Sequence, residues 1–311
     1  MDYRRFFLPP DLKYDREFAD AEVLDNLEEI PIYDFYQQRE RLLNLVELQK
    51  TAAPQKSERW KELRWNMVSA SDVSCASDDN PFKTIRAFIE EKALPMGVST
   101  FNPTAATMFG ERYEPVCNYM YEDIHGVKLY HMNLVVHPLY PNIGASIDAL
   151  AINEITKRIN LVEFKAPKSR PPHRPGNPET EVLVETNHVK INYWMQTQVQ
   201  MEVLDVPEND YFDVKIVEPP TVLHLRGRDR YYGYSFTNPD DPETYIYSHD
   251  LSGTDYERYE YEKPTGFSYW CAEYYHLATI QRSRAWFAGY LPKIQSLWNR
   301  VLAERRFAAA F

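Results

Sequence analysis

Apolar and polar positions change rhythm several times along the chain. In "YDFYQQRERLLNLVELQK" Leu42, Leu43, Leu45, Val46 and Leu48 favour one helix that packs on something else. Ser57 is placed to cap a helix running to about Asn66, Ser71 or Asp72 opens a short turn, and "PFKTIRAFIEEKAL" reads as an amphipathic helix after Pro81. "TAATMFGERYEPVCNYMYEDIHG" carries Met108, Tyr113, Val116, Cys117, Met120, Tyr121 and Ile124 on a helical period and ends at Gly126, a C-cap candidate. The period then shortens. "VKLYHMNLVVH", "GASIDALAIN" and "RINLVEFKA" predict successive strands of an antiparallel meander, with the polar "EITKR" joining the last two. "VKINYWMQTQVQMEVL" returns to helix and "DYFDVKIVE" to strand. From Thr221 to Gly266 the pattern weakens into Tyr-rich polar sequence, read as a hairpin over "TVLHLRGRDRYYGYSF" and a long surface excursion. The stretch from Ser268 to Arg306 reads as two helices broken near Gly289 and Pro292, anchored by Trp270, Trp286 and Trp298. The order predicts an α/β (α+β) chain: an appendage over 1–56, a core over 57–220 with a mixed central sheet flanked by helices, and C-terminal helices packed on that core over 221–311.

Composition narrows the class. With 311 residues, 44% of them hydrophobic, the chain can bury a sizeable core and needs no covalent staples. Against 46 acidic residues stand 35 Lys and Arg, a formal charge of -11, so the surface as a whole repels nucleic acid and acidic membranes. A polyanion partner must therefore meet a local basic patch. Cys75, Cys117 and Cys271 lie far apart without CxxC or Cys/His spacing, which argues against a disulfide framework and against zinc. The charged N-terminus offers no apolar run for a leader or a membrane span, so the expected home is intracellular and reducing, with no membrane partner.

The candidate chemistry gathers around "LVEFKAPKSR". Side chains alternate across a strand, so Glu163 and Lys165 share one face while Val162 and Phe164 take the other. Taken alone, such a pair is far more often a solvated ion pair worth little energy. If the strands around Asp148 and Glu163 are neighbours, however, the two carboxylates meet at one end of the sheet and suit a hard divalent cation. Lys165 beside them would orient or deprotonate an attacking water and offset phosphate charge. Glu114, on the helix before the strands, brings a further carboxylate or is simply an exposed helix residue. Tyr193, Gln196 and Gln200 fall on one helical stripe, able to hold a water or a carboxylate, or forming an ordinary polar face. Lys165, Lys168, Arg170 and Arg174 form a basic island without an acid, suited to phosphate contacts. Upstream, Arg64 with Ser69 and Ser71 is a candidate for a terminal phosphate, although Ser71 and Asp72 also suffice as plain N-caps.

Five stretches, "RWNMVSASDV", "FGERYEPVCNYMYEDIHG", "GASIDAL", "VEFKAPKSR" and "YWMQTQVQM", stand in the order of the motifs of one family. Over about residues 57–216 the chain resembles the phage lambda exonuclease and YqaJ-type viral recombinase family of the PD-(D/E)xK nuclease superfamily, with a restriction-endonuclease-like core. The resemblance implies two Mg2+ ions, with Mn2+ as a substitute, held by Asp148, Glu163 and the Val162 or Phe164 carbonyl region, Glu114 bearing on the second. It implies Lys165 as the water-activating lysine, Gln196 as the family glutamine with Tyr193 before it, and Arg64 and Ser71 at the 5′-phosphate. The implied activity is 5′-to-3′ degradation of one strand at double-stranded DNA ends, leaving 3′ single strands for recombination or repair. The implied partners are a single-strand annealing or DNA-binding protein and further copies of the chain. Where the family has Pro-Asp-Gly, this chain has Ile147-Asp148-Ala149. The flanking segments, including "RSRAWFAGYLPKIQSLW", look like those of large DNA virus versions; for a viral protein the resemblance implies the host cytoplasm or a viral replication site. An endonuclease or RNase on the same fold, and a DNA-end-binding factor without turnover, are the alternatives.

Overall fold

The computed structural model describes residues 35–55, 57–96, 98, 103–173, 188–220, 231–248 and 253–308, the side chains of 253–256 excepted. Ser57 and Thr84, as expected for short polar side chains, accept from Trp60 N and Ala87 N and open α2 (Glu58–Trp65) and α3 (Ile85–Ala93). Between them run β1 (Val68–Ser69) and a 3-10 helix (Ala70–Ser77), and α1 (Phe35–Gln49) precedes both. The long α4 (Ala105–His125) ends at Gly126 with φ 61°, a left-handed position that costs a glycine nothing.

The strands divide between two sheets. β2 (Lys128–Tyr130), β5 (Ala149–Asn153), β6 (Arg158–Lys165) and β7 (Glu208–Val217) belong to a seven-stranded sheet with β8 (Tyr232–Asn238), β9 (Asp241–Ser248) and β10 (Ser268–Gln281), in the order β2-β5-β6-β7-β10-β8-β9. β3 (Val135–Val136) and β4 (Ile143–Ala145) form a small sheet with β1. The expected strand over 127–137 is thus two short strands in different sheets. In the small sheet Gly144 lies between β1 and β3, where a Cβ would come within 2.5 Å of Met67 Sδ and 3.0 Å of the Val135 carbonyl. The meander β2-β5-β6 is antiparallel as the pattern predicts, and β6 runs parallel to β7. That parallel step requires a crossover, which α5 (Ile191–Leu204) supplies.

Both faces of β6 are covered, so its apolar residues sort by parity. Ile159 and Leu161 join a core with α1, α3, α5, the 3-10 helix and α7 (Arg284–Ala308), while Val162 and Phe164 pack with Tyr113, Val116, Cys117, Met120 and Tyr121 of α4. Glu163 and Lys165 therefore face α5.

Two expectations are corrected here. The stretch from Ser268 to Arg306 is one strand, β10, and one helix, α7, that runs unbroken through Gly289 and Pro292. β10 is flanked by β7 and β8 and buries Trp270, Cys271 and Ala272 in succession, which no two-residue period records, and the buried stripe Phe287, Tyr290, Ile294, Leu297, Trp298, Val301 holds α7 on one line across the proline. The Tyr-rich segment carries regular structure beyond the expected hairpin: β8, β9 and α6 (Gly253–Glu262) lie within it and β8 and β9 end the main sheet, while β9 and the described side chains of α6 stay largely at the surface. Residues 221–230 of the expected hairpin lie outside the described residues.

Candidate nuclease centre at the end of β5 and β6

Ala149 pairs with Val162, so Asp148, one residue before β5, comes level with Glu163. Asp148 Oδ2 accepts from Phe164 N at 2.7 Å, and the Asp148 carbonyl lies 2.8 Å from His131 Nδ1. Glu163 is 1% exposed and still satisfied: Oε1 accepts from Gln196 Nε2 at 2.7 Å and from Lys165 Nζ, and Oε2 accepts from Gln200 Nε2 at 2.6 Å. Gln200 is in turn fixed, its Nε2 also 3.1 Å from the Ser146 carbonyl and its Oε1 accepting from Asn209 Nδ2 at 3.0 Å. Gln200 shares the Tyr193–Gln196 stripe in the sequence, but only the structure separates its role from that of a polar helix face.

The carboxylates act on one another. Burial pushes Asp148 well above the usual carboxylate range, and the negative charges of Glu163 and Glu114 push it further, against Lys165 and the Phe164 N–H. Glu114, on α4 at the other side of the sheet, keeps an exposed surface, yet loss of hydration raises its carboxyl, and Glu163 adds to this against the pull of Lys165. Burial works against the Lys165 ammonium, but Glu163 and Asp148 outweigh it and raise its pKa. Three hard oxygen donors that repel each other, with an ammonium set against one of them, fit a divalent cation. Among the described residues no three His, Cys, Asp or Glu side chains form a ready metal cage. Any divalent ion held here would complete its shell with waters and substrate oxygens.

A second cluster lies beyond β4, the short strand that leads towards Asp148 and pairs with β1. Arg64 Nη2 donates to Ser69 Oγ at 3.1 Å and to Ser71 Oγ at 3.2 Å, and its guanidinium covers the Trp60 ring. Sequence reasoning named these three residues, took Asp72 only as a cap, and missed Lys83 and Lys92. Asp72 accepts from Ser69 Oγ at 2.7 Å and from Lys83 Nζ at 3.0 Å, while Lys92 Nζ donates to the Arg64 carbonyl at 2.5 Å. Burial lowers Lys92 to about 8 despite Asp72. Nothing in the spacing of Lys83 or Lys92 marks them; only the packing of α3 on the 3-10 helix brings them in.

Of the basic island, Lys168 is exposed, its carbonyl 3.5 Å from Lys215 Nζ, and Arg170 turns back onto Asp213 and Tyr211. Arg174 lies outside the described residues. Tyr193 stands beside Lys165, whose Nζ is 5.3 Å from its ring centroid.

Residues 59–206 match the model of the YqaJ-like viral recombinase domain. Uncharacterized protein R354 of Acanthamoeba polyphaga mimivirus is 25% identical over 173 residues, 53% of this chain. The chain spans about 30% of the length of that curated relative. The alkaline exonuclease LHK-Exo from Laribacter hongkongensis matches with a TM-score of 0.52 at 18% identity, covering 82% of this chain and 97% of its own. The same enzyme in complex with dAMP matches at 0.51 and 18%, covering 81% and 96%. At that identity the likeness establishes a shared fold.

Proposed function

Because the chain carries a YqaJ-like viral recombinase domain on the fold of an alkaline exonuclease, we propose that it is a phosphodiester hydrolase, a divalent-metal-dependent DNA exonuclease acting on linear duplex ends. The observation that carries this reading is Glu163, buried and held by Gln196, Gln200 and Lys165, level with an Asp148 fixed on Phe164 N. An isolated surface ion pair needs none of these supports. LHK-Exo has been seen with dAMP, and a deoxynucleoside monophosphate is the product we propose for this chain.

Asp148 and Glu163, with Glu114 nearby, would hold Mg2+, which when bound supplies Lewis-acid stabilisation of the phosphate oxygens. The remaining work belongs to the protein. Gln196 and Gln200 fix the Glu163 carboxylate so that it does not reorganise when DNA arrives. Lys165 directs N–H towards the attacking water and offsets charge on the phosphate. Arg64, Ser69 and Ser71 receive the terminal 5′-phosphate, which sets 5′-to-3′ polarity and leaves a 3′ strand for recombination or repair. Lys168 and Lys215 give the approaching duplex a local positive edge on an otherwise acidic protein.

Linear duplex labelled at either end, incubated with Mg2+ or with chelator, tests the reading. Mononucleotides should appear only with metal, and Lys165→Ala or Glu163→Gln should slow release by about 10²–10³-fold or more. Release that persists in chelator or survives Lys165→Ala would overturn it, and cleavage of closed circular DNA or structured RNA would replace the exonuclease by another activity of the fold.

A further inference from the structure

Lysine is a compact charge on a flexible stem, so its position beside a carboxylate has to be imposed by what surrounds it. Around Lys165 that surrounding is aromatic and is itself braced. Glu163 pairs with Tyr211 and Lys165 with Asp213 across the parallel β6–β7 step, which puts all four side chains on the face towards α5. Tyr193 of α5 stacks on Tyr211 with ring centroids 5.8 Å apart and an interplanar angle of 30°. From the loop after β6, Arg170 reaches back: Nη1 donates to Asp213 Oδ2 at 2.5 Å and Nη2 to Tyr211 Oη at 3.0 Å, while Tyr211 Oη donates to the same Asp213 oxygen at 3.3 Å. The guanidinium carbon sits 5.6 Å from the Tyr193 centroid, and Lys165 Nζ 5.3 Å from it.

We propose that Arg170 is a positioning residue for Lys165: anchored on Asp213 and Tyr211, it fixes the Tyr193 ring that confines the Lys165 ammonium against Glu163. The inference rests on the reading of Lys165 as catalytic. Three observations separate the role from a DNA contact. Both ends of the Arg170 fork are engaged within the protein, its face is turned to Tyr193, and Asp213, at 2% exposure, is a buried charge that needs this partner. Losing Arg170 frees the ring, and the ammonium then samples positions that point away from the reacting phosphate.

Steady-state kinetics on linear duplex with Mg2+, at several salt concentrations, decides it. Arg170→Ala and Tyr193→Leu should each lower kcat by about 10–10²-fold, the size expected for a misplacement near 1 Å, with KM within about threefold of the parent. Tyr193→Phe keeps the ring and should restore kcat to within about threefold. A phosphate-contact role predicts the opposite split: Arg170→Ala would raise KM, leave kcat intact and reduce the salt dependence of binding by about one charge. That split, or a Tyr193→Leu enzyme with parental kcat, overturns the proposal. If Arg170→Ala unfolds, as circular dichroism would show, the Tyr193 pair decides alone. Lys165→Ala run alongside keeps the questions apart: an active Lys165→Ala removes the catalytic reading itself, whereas an inactive one beside an unaffected Tyr193→Leu removes only the positioning role.

Discussion

A carboxylate with 1% of its surface exposed needs hydrogen-bond donors around it, and around Glu163 they are Lys165, Gln196 and Gln200. Gln200 also reaches the Ser146 carbonyl and Asn209, so replacing it disturbs both the carboxylate and the approach to Asp148. Gln200→Ala is expected to cost about 1–3 kcal/mol in denaturant titration, because Glu163 Oε2 loses its buried donor. In the other cluster, Arg64→Ala should erase roughly 10- to 100-fold of any preference for 5′-phosphorylated over 5′-hydroxyl ends, the worth of one or two charge-assisted bonds. Competition between the two duplexes measures it directly. At this scale strand parity alone put Glu163 and Lys165 on one face. Lys83, Tyr211 and Asp213 stayed hidden, and Asp72 showed only as a cap, because their contacts depend on register and helix packing that no spacing in the chain records.

Helices and strands at the centre lean on elements that look peripheral. α1 buries Phe35, Leu42 and Val46, and its Arg41 Nη2 donates to the Leu204 carbonyl at 2.6 Å, at the end of the helix that carries Gln196 and Gln200. Leu42, fully buried, should cost about 2–5 kcal/mol as Leu42→Ala, read from thermal or chemical unfolding. The 3-10 helix carries a pH signature. Burial works against the Asp72 carboxylate, but Lys83, Lys92 and Arg64 outweigh it and hold it well below the usual range. A folded-state value below the unfolded one makes the contribution complete above the unfolded carboxylate value, about 4, and drains it as pH falls. Asp72→Asn should therefore melt well below the parent at pH 7, and the gap should narrow as the pH falls through 4 and below. Most elements here were legible because caps and periods agreed: Ser57 and Gly126 begin and end helices where their chemistry says, and the helix expected after Pro81 opens at Thr84. β10 was not, since the polar Glu273, His276 and Thr279 interrupt its apolar and aromatic residues at a spacing that fits a helix as well as a strand.

For the molecule as a whole, the charge of -11 directed attention to a local cationic edge, for which Lys168 and Lys215 are the cations proposed above. Composition could not say how the sheet closes. β10 pairs with β7 along ten residue pairs from Cys271↔Val217 to Gln281↔Glu208, so the strand bearing Tyr211 and Asp213 is an inner strand only when β10 is present. A fragment of residues 57–220, the core as its sequence delimits it, should expose a bare β7 edge and precipitate or swap, whereas the full chain should elute as a defined species in size-exclusion chromatography. The same arrangement has a consequence for the chain as it is made. β10 comes late in the sequence and is inserted between β7 and β8, both already synthesised, so the nascent chain holds Asp148, Glu163, Lys165 and Gln196 before the strand that covers the β7 edge exists. Under the proposed function, the β7 edge beside the site would stay open until translation has passed residue 281.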